Sequence, residues 1–408
     1  MLFIYNIFFL VVLWALYQSR KRFDISCYLV AIYLVSSLSC TLLSWTSPDL
    51  IKFPDRITFE SVIVHIFLLS FFSWPFIAKA NKIKPNNLDI SKTGVKIFAL
   101  SLIIPSYLAI IASVYGVVDI IAIGNFNEAR TAYLLGDVSG GYIEKYGVLG
   151  YIMSLGPQTC FIAVTLFFYC FFYKGYKKLG YSLLIASLAL VIQNLSIAGR
   201  EGIIRWLMYF GFNIILFRDY ISYSKCKQFW NLLIVCILFM FVFFAAISND
   251  RFESSEGGVG ISLLSYMGQP FYNFSYMYDA FANQSNQSLI EILSILGDSH
   301  KELEQKDVDF ATNVFPTFVG SFIRSVGLLK TLLLGVIMFV ICKITFYGKM
   351  KLSFYNTIAY IVLFDVILFG VLYFIHYIRF TQITMVVYII LASIICKKYS
   401  KRYEQYKK

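Results

Sequence analysis

Long apolar stretches recur along this chain, separated by short polar ones, and that alternation constrains the fold more than any other feature. Backbone inside hydrocarbon must satisfy its own N–H and C=O groups, so a stretch of roughly 20 apolar residues becomes a spanning helix. Eleven spans are expected, at about 2–18, 25–45, 58–78, 95–116, 148–172, 179–198, 202–217, 228–248, 326–345, 354–376 and 379–396. The first has no basic segment before it and no small-residue cleavage site after it, so it reads as a retained helix rather than a signal peptide. Of 408 residues, 59% are hydrophobic and 14% charged, where a soluble domain is nearer half and a quarter. That balance excludes a soluble enzyme, a disordered chain and a coiled coil. The expected class is all-α, a polytopic helical membrane protein of about 11 spans in one integral domain over 1–408.

Orientation follows from the basic residues, which concentrate in inner loops. Alternate short loops are basic: Arg20–Arg22, Lys79–Lys96, Lys174–Lys178, Arg218–Lys227, Lys343–Lys351 and the tail from Lys397. The N-terminus is therefore expected outside and the C-terminal tail in the cytoplasm. The net charge of +12 belongs to this loop asymmetry and implies no nucleic-acid partner. The eight cysteines lie almost all within apolar stretches without paired spacing, which supports neither a disulfide framework nor a zinc site.

The outer segments carry a different cation. Arg56, Arg130, Arg200, Arg205, Arg251, Arg324 and Arg379 outnumber Lys52, Lys145, Lys301, Lys306 and Lys330 there. Topology needs no such bias, since either cation serves. Recognition does, because guanidinium binds phosphate and carboxylate oxygens through planar, bidentate bonds. An arginine-biased outer face suggests an anionic substrate such as a pyrophosphate. The plainer alternative is that these arginines pair with outer acids or lipid headgroups.

Two outer loops are expected, a large one over 249–325 and a smaller one over 117–147. The large loop is not hydrophilic throughout. Val259–Tyr278 and Ser288–Gly297 are apolar and aromatic, so helices there would lie on the outer membrane surface or pack over the bundle. Its aromatic side chains Tyr266, Phe271, Tyr272, Phe274, Tyr276 and Tyr278 could stack on sugars or serve as interfacial anchors.

The sharpest local signal is Ile197-Ala198-Gly199-Arg200-Glu201-Gly202, a tight outer turn between two spans. Gly199 and Gly202 would let a ligand approach the backbone. The helix starting near Gly202 would offer free N–H groups to an anion, with Arg200 beside them. Arg205 is four residues from Glu201 and is expected to pair with it. His376 and Arg379 form a second group at the turn between the last two spans, and a histidine there could act as a general base or simply sit at the interface. His300, between Asp298 and Glu302, is a rival base with a solvated alternative. Asn125, Asn127, Glu128 and Arg130 form a third group; Arg251 follows the eighth span and Arg324 precedes the ninth. Glu60, His65 and Asp365 fall deeper, where a proton-coupled transporter would use them or a helix bundle would employ them as polar glue. No P-loop, metal-ligand cluster or serine-hydrolase elbow occurs.

These features together resemble the O-antigen polymerases of the Wzy type, bacterial oligosaccharide repeat-unit polymerases. The likeness rests on the many spans, the abundance of Phe and Tyr, and the large external loop late in the chain. Locally it rests on Gly199-Arg200-Glu201-Gly202 and on Ser265-Tyr266-Met267-Gly268-Gln269-Pro270-Phe271-Tyr272-Asn273-Phe274, which is similar to the aromatic opening of the external loop in some members. The resemblance implies a glycosyltransferase C-type bundle in the bacterial inner membrane, with its active face periplasmic and no metal or other cofactor. Its substrates would be undecaprenyl-diphosphate-linked oligosaccharides, with the growing polymer moved to the non-reducing end of a new unit. Implied partners are membrane lipids and a chain-length regulator protein. Arg200 would bind a carrier pyrophosphate, with Arg130, Arg205, Arg251, Arg324 and Arg379 as further candidates. His376, His300 or Glu201 would be the base. A lipid-linked oligosaccharide flippase is the alternative; it would more often show even span counts, repeat symmetry and smaller outer loops.

Overall fold

The computed structural model describes residues 1–51, 54–123, 126, 142–221, scattered positions from 227 to 247, 258–283, 316–346, 352–374 and 379–405. All regular elements among the described residues are helical. They are α1 (Phe3–Arg20), α2 (Ile25–Thr46), α3 (Phe59–Lys79), α4 (Lys92–Ile123), α5 (Tyr142–Tyr146), α6 (Val148–Gln158), α7 (Cys160–Phe168), α8 (Lys177–Ser187) and α9 (Ala189–Leu195). They continue with α10 (Glu201–Phe217), α11 (Gly258–Phe281), α12 (Phe318–Phe346), α13 (Phe354–Leu368) and α14 (Arg379–Gln405). Local chemistry fixes several starts. Asp24 caps α2 by accepting from the N–H groups of Ser26 and Cys27 at 2.9 and 3.1 Å. Thr58 and Ser61 form a reciprocal capping box at the start of α3.

Eight helices among the described residues are long and apolar enough to cross a membrane. A ninth arises if the pair Val148–Gln158 and Cys160–Tyr173, bent by 54°, is one span. Of the eleven expected spans, 202–217 forms α10, whose 17 residues extend about 26 Å, short of a hydrocarbon core of roughly 30 Å. The stretch 228–248 is described only at scattered positions. Exposed side chains such as Leu10, Trp14, Val35, Trp45, Phe67, Trp74 and Ile104 give the helices the apolar exterior that a multi-pass membrane protein presents to lipid.

Two elements depart from the expected loop boundaries. The fourth span runs on to Ile123, because Val117–Ile123 is apolar except for the exposed Asp119. At 32 residues, α4 is about 48 Å long. The segment expected to roof the bundle becomes the single helix α11, and it packs into the interior instead of serving as a surface anchor. Phe271, Tyr272 and Phe274 are buried there, while Tyr266, Tyr276 and Tyr278 are half-buried. Ser288–Gly297 and the polar stretch Asp298–Asp309 lie outside the described residues.

The chain divides into two compact units. The first comprises Met1–Ile83, Gly260–Leu352 and Val362–Ile383. Its core is aromatic: Phe271 meets Tyr5 edge-on at 4.8 Å, and Phe72 meets Phe318 at 5.4 Å. Gly268 brings α11 against α2 so closely that a Cβ there would lie 2.5 Å from the Cys40 backbone nitrogen. The helix α12 is broken at Gly327 (φ 78°, ψ 172°), a conformation that suits glycine, and the Leu328 N–H donates to the Ala282 carbonyl at 3.0 Å.

The second unit comprises Lys84–Val259, Ser353–Ile361 and Thr384–Lys408. Its α4 and α6 cross at Gly156, where a Cβ would lie 2.6 Å from the Ser106 Cα. Phe168, Phe210 and Trp206 pack in sequence, with ring centroids 4.8 Å apart at each step.

Candidate functional site

The turn between α9 and α10 is built by its own backbone. The Asn194 carbonyl accepts from the N–H groups of Ile197 and Gly199 at 3.2 and 2.7 Å, and the Ala198 N–H donates to Leu195 at 3.0 Å. Ala198 takes a left-handed conformation, φ 50°, and is fully buried. The Arg200 carbonyl then accepts from Ile203 and Ile204, and α10 begins at Glu201. A tight reversal between two helices is therefore correct as read from Gly199-Arg200-Glu201-Gly202.

The role expected for the glycines is not. A Cβ on Gly202 would lie 2.7 Å from the Leu190 carbonyl oxygen, and one on Gly199 would lie 3.1 Å from both Asn194 oxygens. The space beside each glycine is filled by α9, so these residues serve the chain's own packing rather than the approach of a ligand.

Arg200 and Arg205 are both buried, at 6% and 2% exposure, and Glu201 is half-buried. An arginine at the start of a helix runs against the helix dipole, which favours negative charge at that end. Guanidinium cannot lose its proton in a protein. Within this turn two fixed positive charges thus accompany one acid, Glu201. The contact expected for Arg205 was Glu201, one turn back. One turn forward, Arg205 Nε also donates to the Tyr209 hydroxyl, and the guanidinium lies 5.6 Å from that ring's centre. Tyr209 stacks on Phe161 with centroids 4.3 Å apart and planes within 4°. Beside it, Trp206 donates to Ser187 Oγ at 3.0 Å. The i,i+4 spacing of Arg205 and Tyr209 was a legible signal that the sequence reading passed over.

The first unit holds a separate polar centre. His65 is fully buried, with Nδ1 at 2.8 Å from the Tyr5 hydroxyl and Nε2 at 2.8 Å from Thr317 Oγ1. Its ring stacks on Phe274 with centroids 3.8 Å apart. This is the bundle-glue arrangement, with both ring nitrogens satisfied. Towards one end of the unit, Ser61 Oγ donates to Ser275 Oγ at 2.9 Å, the Tyr278 hydroxyl donates to Glu60 at 2.6 Å, and Arg56 pairs with Asp279. Arg324 is half-buried on the segment of α12 before Gly327, and Asp365 is buried in α13.

The expected site residues thus divide. Arg200, Glu201 and Arg205 come together on one turn of the second unit, whereas Arg324 belongs to the first. Arg130, Arg251, His300 and His376 lie outside the described residues, as does the side chain of Arg379 at the start of α14. Among the described residues no three His, Cys, Asp or Glu side chains gather as a metal site requires. No protein-family model, no curated protein and no solved structure matches this chain.

Proposed function

We propose that the chain is a membrane glycosyltransferase that polymerises lipid-diphosphate-linked oligosaccharide repeat units on the periplasmic leaflet of a bacterial inner membrane. The observation that carries the reading is the buried pair Arg200 and Arg205 at the start of α10. Two guanidiniums beside the positive end of a helix dipole suit a diphosphate. In the reaction, a hydroxyl on the new unit attacks the anomeric carbon of the growing polymer. The glycosidic C–O bond forms as the bond from that carbon to the carrier diphosphate breaks. The diphosphate departs with the electron pair, and Arg200 stabilises the charge developing on it. The hydroxyl proton passes to a base, for which Glu201 beside Arg200 is one candidate and His376 and His300 are the others. Arg205, held by Tyr209, adds positive charge and orients the turn. The resemblance to the O-antigen polymerases, the glycosyltransferase C-type fold and the outer placement of the N-terminus belong to this same proposal. Arg130, Arg251, Arg324 and Arg379 are the next candidates for holding the two diphosphates.

The test is complementation of a strain lacking its own copy, read as lipopolysaccharide ladders on a gel. The deletion should collapse the ladder to a single-repeat band, and wild type should restore it. A well-expressed Arg200→Ala should not, since losing one transition-state charge contact costs about 100- to 1,000-fold in rate. A deletion that removes even the single-repeat band would favour the flippase. A full ladder from Arg200→Ala would remove the diphosphate role from this turn.

A further inference from the structure

We propose that Glu60, Tyr278, Arg56 and Asp279 form a carbohydrate-binding rim on the first unit, one that takes the sugar portion of the substrate. The choice of ligand rests on the glycosyltransferase reading above; the residues and their arrangement do not.

Glu60 opens α3 and is exposed. One of its carboxylate oxygens accepts from the Tyr278 hydroxyl at 2.6 Å. Among the described residues nothing donates to its other oxygen, which leaves it open to a hydroxyl from outside. Beside it, Arg56 and Asp279 pair with side chains 54% and 45% exposed, so donors and acceptors of that pair also face outward. The rim stands on a rigid base. Ser61 and Ser275 bind each other at 2.9 Å directly beneath it, tying α3 to α11. Tyr278 lies against Phe274, centroids 6.2 Å apart and planes within 15°, and Phe274 stacks on the buried His65. Preorganised groups on packed helices bind with little ordering cost.

The chemistry selects a neutral polyol over an anion. Two carboxylates and one guanidinium give this rim a net negative charge, which repels a diphosphate. A sugar instead offers hydroxyls that donate to carboxylates and accept from guanidinium, and an apolar face that suits an aromatic ring. The bond to Glu60, and then burial, push the Tyr278 hydroxyl up to about 12, so it remains a donor at any physiological pH. The plain alternative is a surface contact that helps start a helix, and exposed pairs of that kind contribute little to stability.

The experiment measures two ligands on purified full-length protein in nanodiscs. One is the repeat-unit oligosaccharide released from its lipid; the other is undecaprenyl diphosphate without sugar. Wild type should bind both. Glu60→Gln should weaken oligosaccharide binding by roughly tenfold or more, the scale of a hydrogen bond to a charged group, and leave undecaprenyl diphosphate binding unchanged. Tyr278→Phe keeps the ring and should give a smaller loss, severalfold, with the same selectivity. Oligosaccharide binding equal to wild type in both variants, equal loss of both ligands, or no oligosaccharide binding by wild type would each overturn the proposal. The two readings fail separately. Selective sugar loss in a protein that polymerises nothing leaves the rim standing and removes the glycosyltransferase. Polymerisation with unaltered sugar binding in Glu60→Gln does the reverse.

Discussion

The two units each hold a buried polar centre, and the two centres are built differently. In the first, His65 sits between the hydroxyls of Tyr5 and Thr317, and its ring stacks on Phe274. A neutral imidazole with both nitrogens bonded brings no net charge into the core. It joins α1, α3, α11 and the residues that lead into α12. In the second unit, Arg200 and Arg205 bring charge that no proton loss can remove, at a helix end whose dipole has the same sign. A closed polar node of the first kind specifies how helices pack. Two buried guanidiniums at a helix N-terminus are placed to meet an anion, which is why the second turn and not the first is the candidate for handling one.

Paired substitutions can break that contrast. Arg200→Ala should abolish polymer in the ladder assay while the protein still folds and inserts. His65→Leu should behave in the opposite sense. It strands the Tyr5 and Thr317 hydroxyls in the core, at about 1–3 kcal/mol each. The expected result is a melting temperature lowered by several degrees and less folded protein, with polymer made per folded molecule close to wild type. A stable His65→Leu protein that makes no polymer would place His65 in the functional machinery and erase the distinction.

A smaller effect is expected where helices touch through glycine. Gly268→Ala would force the α11 helix away from Cys40, and Gly156→Ala would do the same to α6 against Ser106. In both, the opposing atoms are backbone and cannot rotate aside, so the cost should be about 1–3 kcal/mol. Thermal melts of the two variants compare the units directly. Equal losses would mean that both cores depend on close small-residue crossings. A loss confined to Gly268→Ala would mean that the second unit accommodates the change by moving α6.

These positions also show what the sequence could and could not convey. Eight of the eleven expected spans were legible because hydrocarbon forces a length and a composition that a sequence window detects. The turn at Gly199-Arg200-Glu201-Gly202 was legible because two glycines and two charges interrupt apolar helices within six residues. The use of its glycines was not, since whether the space beside a glycine admits a ligand or a neighbouring helix depends on where α9 packs. The interior position of α11 was missed for a similar reason. Its aromatic side chains satisfy a membrane surface and a protein core equally well, and only the close approach at Gly268 decides between them. The partners of His65 are 60 and 252 residues away, beyond any local pattern. Arg205 and Tyr209, by contrast, are one turn apart, a spacing that a local pattern shows.

That spacing leads to the finest test. Tyr209→Phe removes a single oxygen and keeps the ring that stacks on Phe161 and faces the guanidinium. The bond from Arg205 Nε is lost, at about 0.5–1.5 kcal/mol, the usual net value of one hydrogen bond. If Tyr209 only orients Arg205, polymerisation should slow by roughly two- to tenfold, and the ladder should shift towards shorter polymers without disappearing. Adding Arg205→Lys to Tyr209→Phe should then cost little more than Arg205→Lys alone, because the planar fork that Tyr209 holds would already be gone. Additive losses would instead separate the two residues, with Tyr209 supporting the fold through Phe161 and Arg205 acting on the ligand without it.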